Sequence, residues 1–259
     1  ESHPYAVKPS GTVVSRALNL GPELSMADLQ FACKAGSQAL QICLAYVAAG
    51  LMPAGLAIGA DTAQSRPGDV LEFTAGAVSA ACIVGDNQLL AKVVATVSVA
   101  TDTPDFWRRP GQKYPEHAGR FTGEPAYFAH VGMATKKLLH EVNLKPSDID
   151  YCVFHTPNAK FPQAMAKQFG FTTEQLKPAL VVKQIGNTYA AASMLALAAV
   201  LDQAHAEQKI LVTSYGSGAG ADSFLLETTP LLVTKRKQWQ DFLIEKIDRL
   251  KLVSYLDYR

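Results

Sequence analysis

The chain contains one structural unit twice, with a period of 154 residues, and a period that long means a duplicated domain rather than a solenoid. Cys33 opens the run CKAGSQALQICLAYVAAG, whose small and apolar residues go all round a helix, and a strand-like AGLAIGADT follows from Ala54. Asn187 opens a second such run, NTYAAASMLALAAVLDQA, followed from Lys209 by KILVTSYGS. Cys33 to Gly55 and Asn187 to Lys209 are each 22 positions, and Glu1 precedes Cys33 by the same 32 positions that separate His155 from Asn187. The repeat thus pairs Glu1 with His155 and Cys33 with Asn187. It predicts a pseudo-twofold α/β protein with a buried helix feeding a sheet in each half.

In the second copy a helix (about Tyr127 to Val142) and an apolar strand (Asp150 to Phe154) lead up to His155. A helix (Phe161 to Phe169) and a strand (Ala179 to Val182) follow it. Nothing before Glu1 plays the first two parts, and the chain opens without methionine. By its own symmetry it is expected to lack the opening strands and helix of its first half. A sheet cut in this way exposes bare edges and apolar surface, so those elements are expected on an upstream stretch or another polypeptide.

The expected divisions are a first half over 1–100, a connecting segment over 101–125, a second half over 126–232 and a tail helix over 233–259. The stretch TDTPDFWRRPGQKYPEHAGRFTGEPAYFAH is longer than an ordinary connection, and its aromatic residues predict order, as a flap or a subunit contact. The tail, KRKQWQDFLIEKIDRLKLVSYLDYR, reads as an amphipathic helix docked on its own domain or offered to a partner.

Composition excludes several classes. With 24 Lys plus Arg against 23 Asp plus Glu, the net charge of +1 gives no bulk attraction to nucleic acid or anionic membranes. The Ala-rich runs are interrupted before about 18 apolar residues accumulate, and no signal peptide opens the chain. Cys33, Cys43, Cys82 and Cys152 lie far apart with no zinc-type spacing, which predicts thiols in a reducing compartment and a cytoplasmic protein without metal.

The chemistry is expected from residues at the ends of elements. Cys33 stands at a helix start, where unpaired N–H groups favour a thiolate and can hold a developing oxyanion; a small buried hydrophobe is the plainer reading. His155 directly follows a strand, the place where α/β folds put catalytic side chains, and the repeat sets Glu1 at the equivalent strand end. A carboxylate and an imidazole would then converge on one thiol, supplying base, acid and nucleophile. The run SYGSGAGADSF lets backbone approach a ligand closely and can form an oxyanion hole, although dense glycines are also ordinary turns. His3, His117, His130, His140 and His205 share no metal-ligand spacing and are expected on the surface or in loops.

Seven ordered motifs, ESHPYAVKPSGT, DLQFACKAG, GADTAQSRPGD, the long connecting stretch, FHTPNAKFP, IGNTYAAAS and SYGSGAGADSF, resemble the archaeal type of 3-hydroxy-3-methylglutaryl-CoA synthase, in the thiolase superfamily. The resemblance implies the thiolase-like duplicated αβαβα five-layer fold, here with the opening elements of the first half absent from the chain. It implies condensation of acetyl-CoA with acetoacetyl-CoA through an acetyl-cysteine, then thioester hydrolysis, in the mevalonate pathway of isoprenoid synthesis. By motif, Cys33 would be the nucleophile, Glu1 the base that forms the enolate, and His155 the group that polarises the acetoacetyl ketone. Asn187 would position a carbonyl, Ser217 and Cys33 would give oxyanion N–H groups, and Lys160 would face CoA phosphate. No metal or redox cofactor is implied, and the partners would be a second copy of the chain and a complex of acetoacetyl-CoA thiolase with a small bridging protein. Two departures stand out: family members carry a further stretch before the Glu1 motif, and AGAVSAA at 75–81 replaces a run of Gly and Ala. Another condensing enzyme of the superfamily, a ketoacyl synthase or thiolase, and a noncatalytic truncated subunit are the alternatives. A catalytic Glu1 speaks against the first, and an intact Glu, Cys, His and Asn set against the second.

Overall fold

A computed structural model describes residues 2–5, 7–62 and 65–258. In chain order the elements are α1 (Gly11–Ala17), α2 (Ala35–Ala48), β1 (Gly55–Thr62), β2 (Ala77–Val84), β3 (Ala91–Thr103), β4 (Phe106–Trp107) and β5 (Glu116–His117). There follow α3 (Phe128–Glu141), β6 (Tyr151–Phe154), α4 (Lys160–Phe169), α5 (Thr173–Leu176), α6 (Val182–Ile185) and α7 (Ala192–Leu201). Strands β7 (Lys209–Thr213) and β8 (Gly218–Thr228) and helices α8 (Pro230–Arg236), α9 (Leu243–Asp248) and α10 (Tyr255–Tyr258) complete the chain.

The second half is built on a mixed sheet in the order β3-β8-β7-β6, in which β8 runs against both neighbours and β6 pairs parallel to β7. Strands β6 and β7 are apolar runs buried on both faces, as a sheet between helices requires. The period of two divides them cleanly. Cys152, Phe154, Leu211 and Leu225 pack with Val131 and Leu138 of α3 and Met165 of α4. Val153, Ile210, Val212, Phe224 and Leu226 turn the other way, onto Met194, Leu197 and Val200 of α7 and Leu40 of α2. Ala57 of β1 and Val84 of β2 join that second core, so α2 and α7 lie between the sheet and the antiparallel β1–β2 pair. The outward side of β1–β2 stays open, with Leu56 42% and Ile83 83% exposed.

Both central helices start in the same way. Ala32 and Tyr189 have φ of +43° and +48°, each opens a single 3₁₀ turn (Ala32–Lys34, Tyr189–Ala191), and each turn runs straight into α2 or α7. The repeat read from sequence holds at the strands, since β1 and β7 begin at the predicted Gly55 and Lys209. At the helix starts it slips by three residues: the counterpart of Cys33 is Ala190, and Asn187 lies ahead of the turn. Helix α2 is longer by about one turn, 14 residues against 10, which absorbs the difference. The two units meet by bare backbone. A Cβ placed on Gly36 or on Gly59 would stand 2.3 Å from the carbonyl oxygen of Ala190.

Other expectations need correction. The strand expected over Ala179–Val182 is a 3₁₀ turn (Lys177–Ala179) leading to α6, because Pro178 lies in the turn's first positions and a short apolar run does not distinguish strand from helix. Residues 91–100, placed in the first half, belong to β3 and pair with β8 of the second sheet. The single tail helix is broken into α8, α9 and α10: Trp239 packs into the core under α7, and the N–H of Leu243 donates to Asp202 Oδ2 at 2.6 Å. Tyr255 then stacks on Phe73 and hydrogen-bonds Glu72.

Gly36→Ala should lower stability by ~1–3 kcal/mol, because the carbonyl it meets is backbone and cannot swing away. Urea unfolding at matched conditions checks this; an unchanged midpoint would show that α2 can move off Ala190.

Candidate active site

Cys33 sits in the 3₁₀ turn at the N-terminus of α2, 7% exposed, directly after Ala32 with its left-handed backbone. Such a conformation costs a non-glycine residue of order 1 kcal/mol and persists only where the surroundings fix it. Here the surroundings are the loop from β7 to β8. A Cβ on Gly216 would stand 2.4 Å from Phe31 O and 2.8 Å from Lys34 N, so only glycine lets this loop lie on the cysteine turn. The loop is closed by reciprocal bonds between Gly216 and Gly220, each N–H donating to the other carbonyl at 2.8 Å. Ser217 is at its apex.

Asp105, fully buried, holds the other side of the loop. Its Oδ1 accepts the N–H of Gly218 at 2.7 Å and its Oδ2 accepts the hydroxyl of Tyr215 at 2.6 Å. Its carbonyl accepts the Ala118 N–H, so the connecting segment, with its small β4–β5 pair, is fastened to the loop through Asp105. Burial, the bond to Asp105 and that carboxylate's charge keep the Tyr215 phenol far above its ordinary range, with Cys33 adding to the effect.

His155 comes from the other half, at the end of β6. Its N–H donates to Thr213 O at 2.9 Å, and the hydroxyl of buried Tyr127 donates to its carbonyl at 2.8 Å. Its ring centroid is 6.2 Å from that of Tyr215, whose phenol also interacts electrostatically with Cys33. The imidazole is 1% exposed, and desolvation pulls its pKa down to about 3, so it is neutral at pH 7. Its Nδ1 is buried without a hydrogen-bond partner, a costly condition that a bound carbonyl or hydroxyl would relieve.

Asn187 is held by backbone: its N–H donates to Thr74 O at 2.6 Å and its carbonyl accepts from Gly76 at 2.7 Å. Its Oδ1 caps the second turn by accepting from Tyr189 N–H at 2.9 Å, which leaves the amide NH₂ as the end able to donate. Lys160 is the exposed first residue of α4; Asn158 Oδ1 accepts both its N–H and that of Phe161 and fixes the helix start. Glu1 lies outside the described residues. Cys33, His155, Asn187 and Ser217 are thus gathered around Tyr215 and the two abutting turns, and Lys160 stands off on the surface.

Sequence reading missed a buried polar set beside Cys33. Lys34 and Asp222, 2% and 0% exposed in their side chains, pair at 2.9 Å. Lys34 follows the cysteine directly, but its partner is in the other half, and no local spacing links the two. His130, expected on the surface, is 3% exposed on α3; its ring bonds Thr101 Oγ1 and Ala126 O. Among the described residues no group of His, Cys, Asp and Glu is arranged to hold a metal ion, and no helix is long and apolar enough to cross a membrane.

Residues 139–228 match the family model of the 3-oxoacyl-[acyl-carrier-protein] synthase III C-terminal region. The hydroxymethylglutaryl-CoA synthase of Archaeoglobus fulgidus is 52% identical over 261 residues, covering 100% of this chain and 74% of that protein. That of Methanopyrus kandleri is 50% identical over 258 residues, covering 100% and 73%. The chain belongs to the hydroxymethylglutaryl-CoA synthase family. Its fold is thiolase-like: it superposes with TM-score 0.89 and 24% identity on an HMG-CoA synthase complexed with CoA, over 100% of this chain and 69% of that one. A Bacillus subtilis HMG-CoA synthase gives 0.87 at 22% identity, over 100% and 68%. The ketoacyl synthase family model matches residues 139–228, whereas the synthase relatives cover the chain from end to end.

The buried imidazole makes stability depend on pH. Between about 3 and its ordinary value near 6.5 the unfolded chain binds the proton and the folded chain does not, so stability is full above about 6.5 and falls as pH drops, by up to ~1.4 kcal/mol per unit from this group. Urea unfolding from pH 7.5 to 4.5 should give a shallower slope for His155→Gln than for the wild type; equal slopes would mean that His155 is hydrated.

Proposed function

We infer that this chain is a hydroxymethylglutaryl-CoA synthase, joining acetyl-CoA to acetoacetyl-CoA through an acetyl-Cys33 intermediate. The observation that carries the assignment of roles is the meeting of Cys33, on a helix N-terminus, with a glycine loop and a neutral histidine that has an unpartnered nitrogen. These three features serve the successive steps of the reaction.

In the first, the Cys33 sulfur attacks the carbonyl carbon of acetyl-CoA. A carbon–sulfur bond forms, and the oxygen gains negative charge beside the N–H groups of Cys33 and Ser217. Collapse breaks the bond to CoA sulfur, and CoA leaves with the proton given up by Cys33. In the second step Glu1, placed by its ESHPY motif, takes a proton from the acetyl methyl group. The resulting enolate carbon bonds to the ketone carbon of acetoacetyl-CoA. His155, kept uncharged by burial, donates a hydrogen bond to that ketone oxygen, which takes up the proton removed by Glu1 as it becomes the 3-hydroxyl. The Asn187 amide steadies a thioester carbonyl. Water then cleaves the thioester to Cys33, giving a free carboxylate and restoring the thiol. Lys160 is assigned to CoA phosphate because its side chain is exposed beside the His155 strand end.

The reaction needs protons and a nucleophile only, so we assign no resident metal or redox cofactor. As for the family type resembled, we propose a cytoplasmic homodimer of the mevalonate pathway that associates with acetoacetyl-CoA thiolase through a small bridging protein.

Incubation with acetyl-CoA should add one acetyl group to the intact mass, and Cys33→Ala should abolish both the adduct and product formation. An adduct persisting in that variant would refute the assignment. Activity should survive dialysis against EDTA; a loss restored by a divalent cation would show a metal requirement.

A further inference from the structure

We propose that the buried Lys34–Asp222 pair is a positioning device for acyl transfer, setting the distance between the Cys33 sulfur and the N–H groups of the glycine loop. The inference rests on the reading of Cys33 as the acetylated nucleophile. Lys34 Nζ lies 2.9 Å from Asp222 Oδ1, donates to Gln38 Oε1, and sits 4.6 Å from the centre of the Phe31 ring. Asp222 Oδ1 also accepts from Ser98 Oγ at 2.7 Å, and its Oδ2 from Ser37 Oγ at 2.7 Å. Both charges are therefore satisfied within one network, and the two charged side chains are themselves buried.

A buried ion pair is a poor way to stabilise a fold, because desolvation offsets most of the attraction. What this pair does supply is direction. Lys34 is the residue after the nucleophile, in the first half of the duplication; Asp222 is on β8, just past the glycine loop, in the second. The loop's near side is anchored to the same residue, since Ser214 N–H donates to Asp222 O at 2.8 Å and Ser37 Oγ bonds Ser214 Oγ at 2.7 Å. Gly216 then lies directly on Lys34, where an added Cβ would be 2.5 Å from the lysine Cβ. The Cys33 sulfur and the Ser217 N–H belong to different halves, and this pair, together with the Ser37–Ser214 hydrogen bond, joins the elements that carry them. A neutral, volume-matched core would pack as well but would not fix the sliding of one half against the other.

The test separates attack at carbonyl carbon, which needs the loop, from alkylation by iodoacetamide, which develops no oxyanion. Lys34→Met and Asp222→Asn are made singly and together. Either single change leaves one buried charge unpaired and should lower the melting temperature. The double variant should fold with a melting temperature near that of the wild type. In it, acetylation of Cys33 by acetyl-CoA should slow by about 100-fold, the effect of a donor misplaced by about 1 Å and the low end for one lost altogether, with alkylation of Cys33 within about threefold. Lys34→Arg with native Asp222 should recover part of the acetylation rate. Acetylation of the double variant at the wild-type rate would overturn the proposal, as would an equal fall in both reactions or failure of the double variant to fold. Failure of the wild-type chain itself to acquire an acetyl group on Cys33 would instead strike at the synthase reading.

Discussion

The contact on which the structure turns is the approach of Gly36 and Gly59 to the carbonyl of Ala190. It lets α2 and β1 of one half come onto the start of α7 of the other with no side chain between them, and it presses two strained turns together at the pseudo-symmetry axis. Three parts of the proposed site are arranged from there. Cys33 lies on the first turn, Asn187 caps the second, and the glycine loop closes over the first from the far sheet. Burial of apolar area holds the layers together at about 25 cal/mol per Å², but only absent side chains set how near two backbones come.

Much of this was legible in the sequence, for identifiable reasons. Helical and strand runs that bury on all sides carry a strong signal, and α3, β6, α4, β1 and β7 fall within a few residues of expectation. A duplicated pattern needs no partner information to be seen. The repeat fails at the helix starts because it aligns sequence by strand spacing, while the extra turn of α2 is invisible to apolar periodicity. The Ala179–Val182 run failed because four apolar residues have no period. The assignment of β3 to the first half failed because sheet membership is settled by pairing with β8, far along the chain.

The site divides in the same way. Cys33, His155, Asn187 and the loop around Ser217 stand at ends of elements, where motif and fold logic both point. The residues that hold them, Asp105, Tyr215, Lys34 and Asp222, satisfy one another across long sequence distances, and each alone reads as an ordinary polar residue. Electrostatics follows from this enclosure: the histidine is kept uncharged and the tyrosine is kept protonated by loss of water and, for the tyrosine, by a neighbouring carboxylate. A site of that kind offers fixed dipoles rather than mobile charge.

The two central helices began as copies, yet they are enclosed to different degrees. Nearly every residue of α7 is buried, against sheet, strand and neighbouring helix, whereas α2 buries only its early residues and one side. Substitution is correspondingly unequal. A change of volume anywhere along α7 is felt in a packed interior, and more directly than one on the later turns of α2. The duplicated unit thus serves in two packing environments, and the more enclosed copy is the one without the nucleophile.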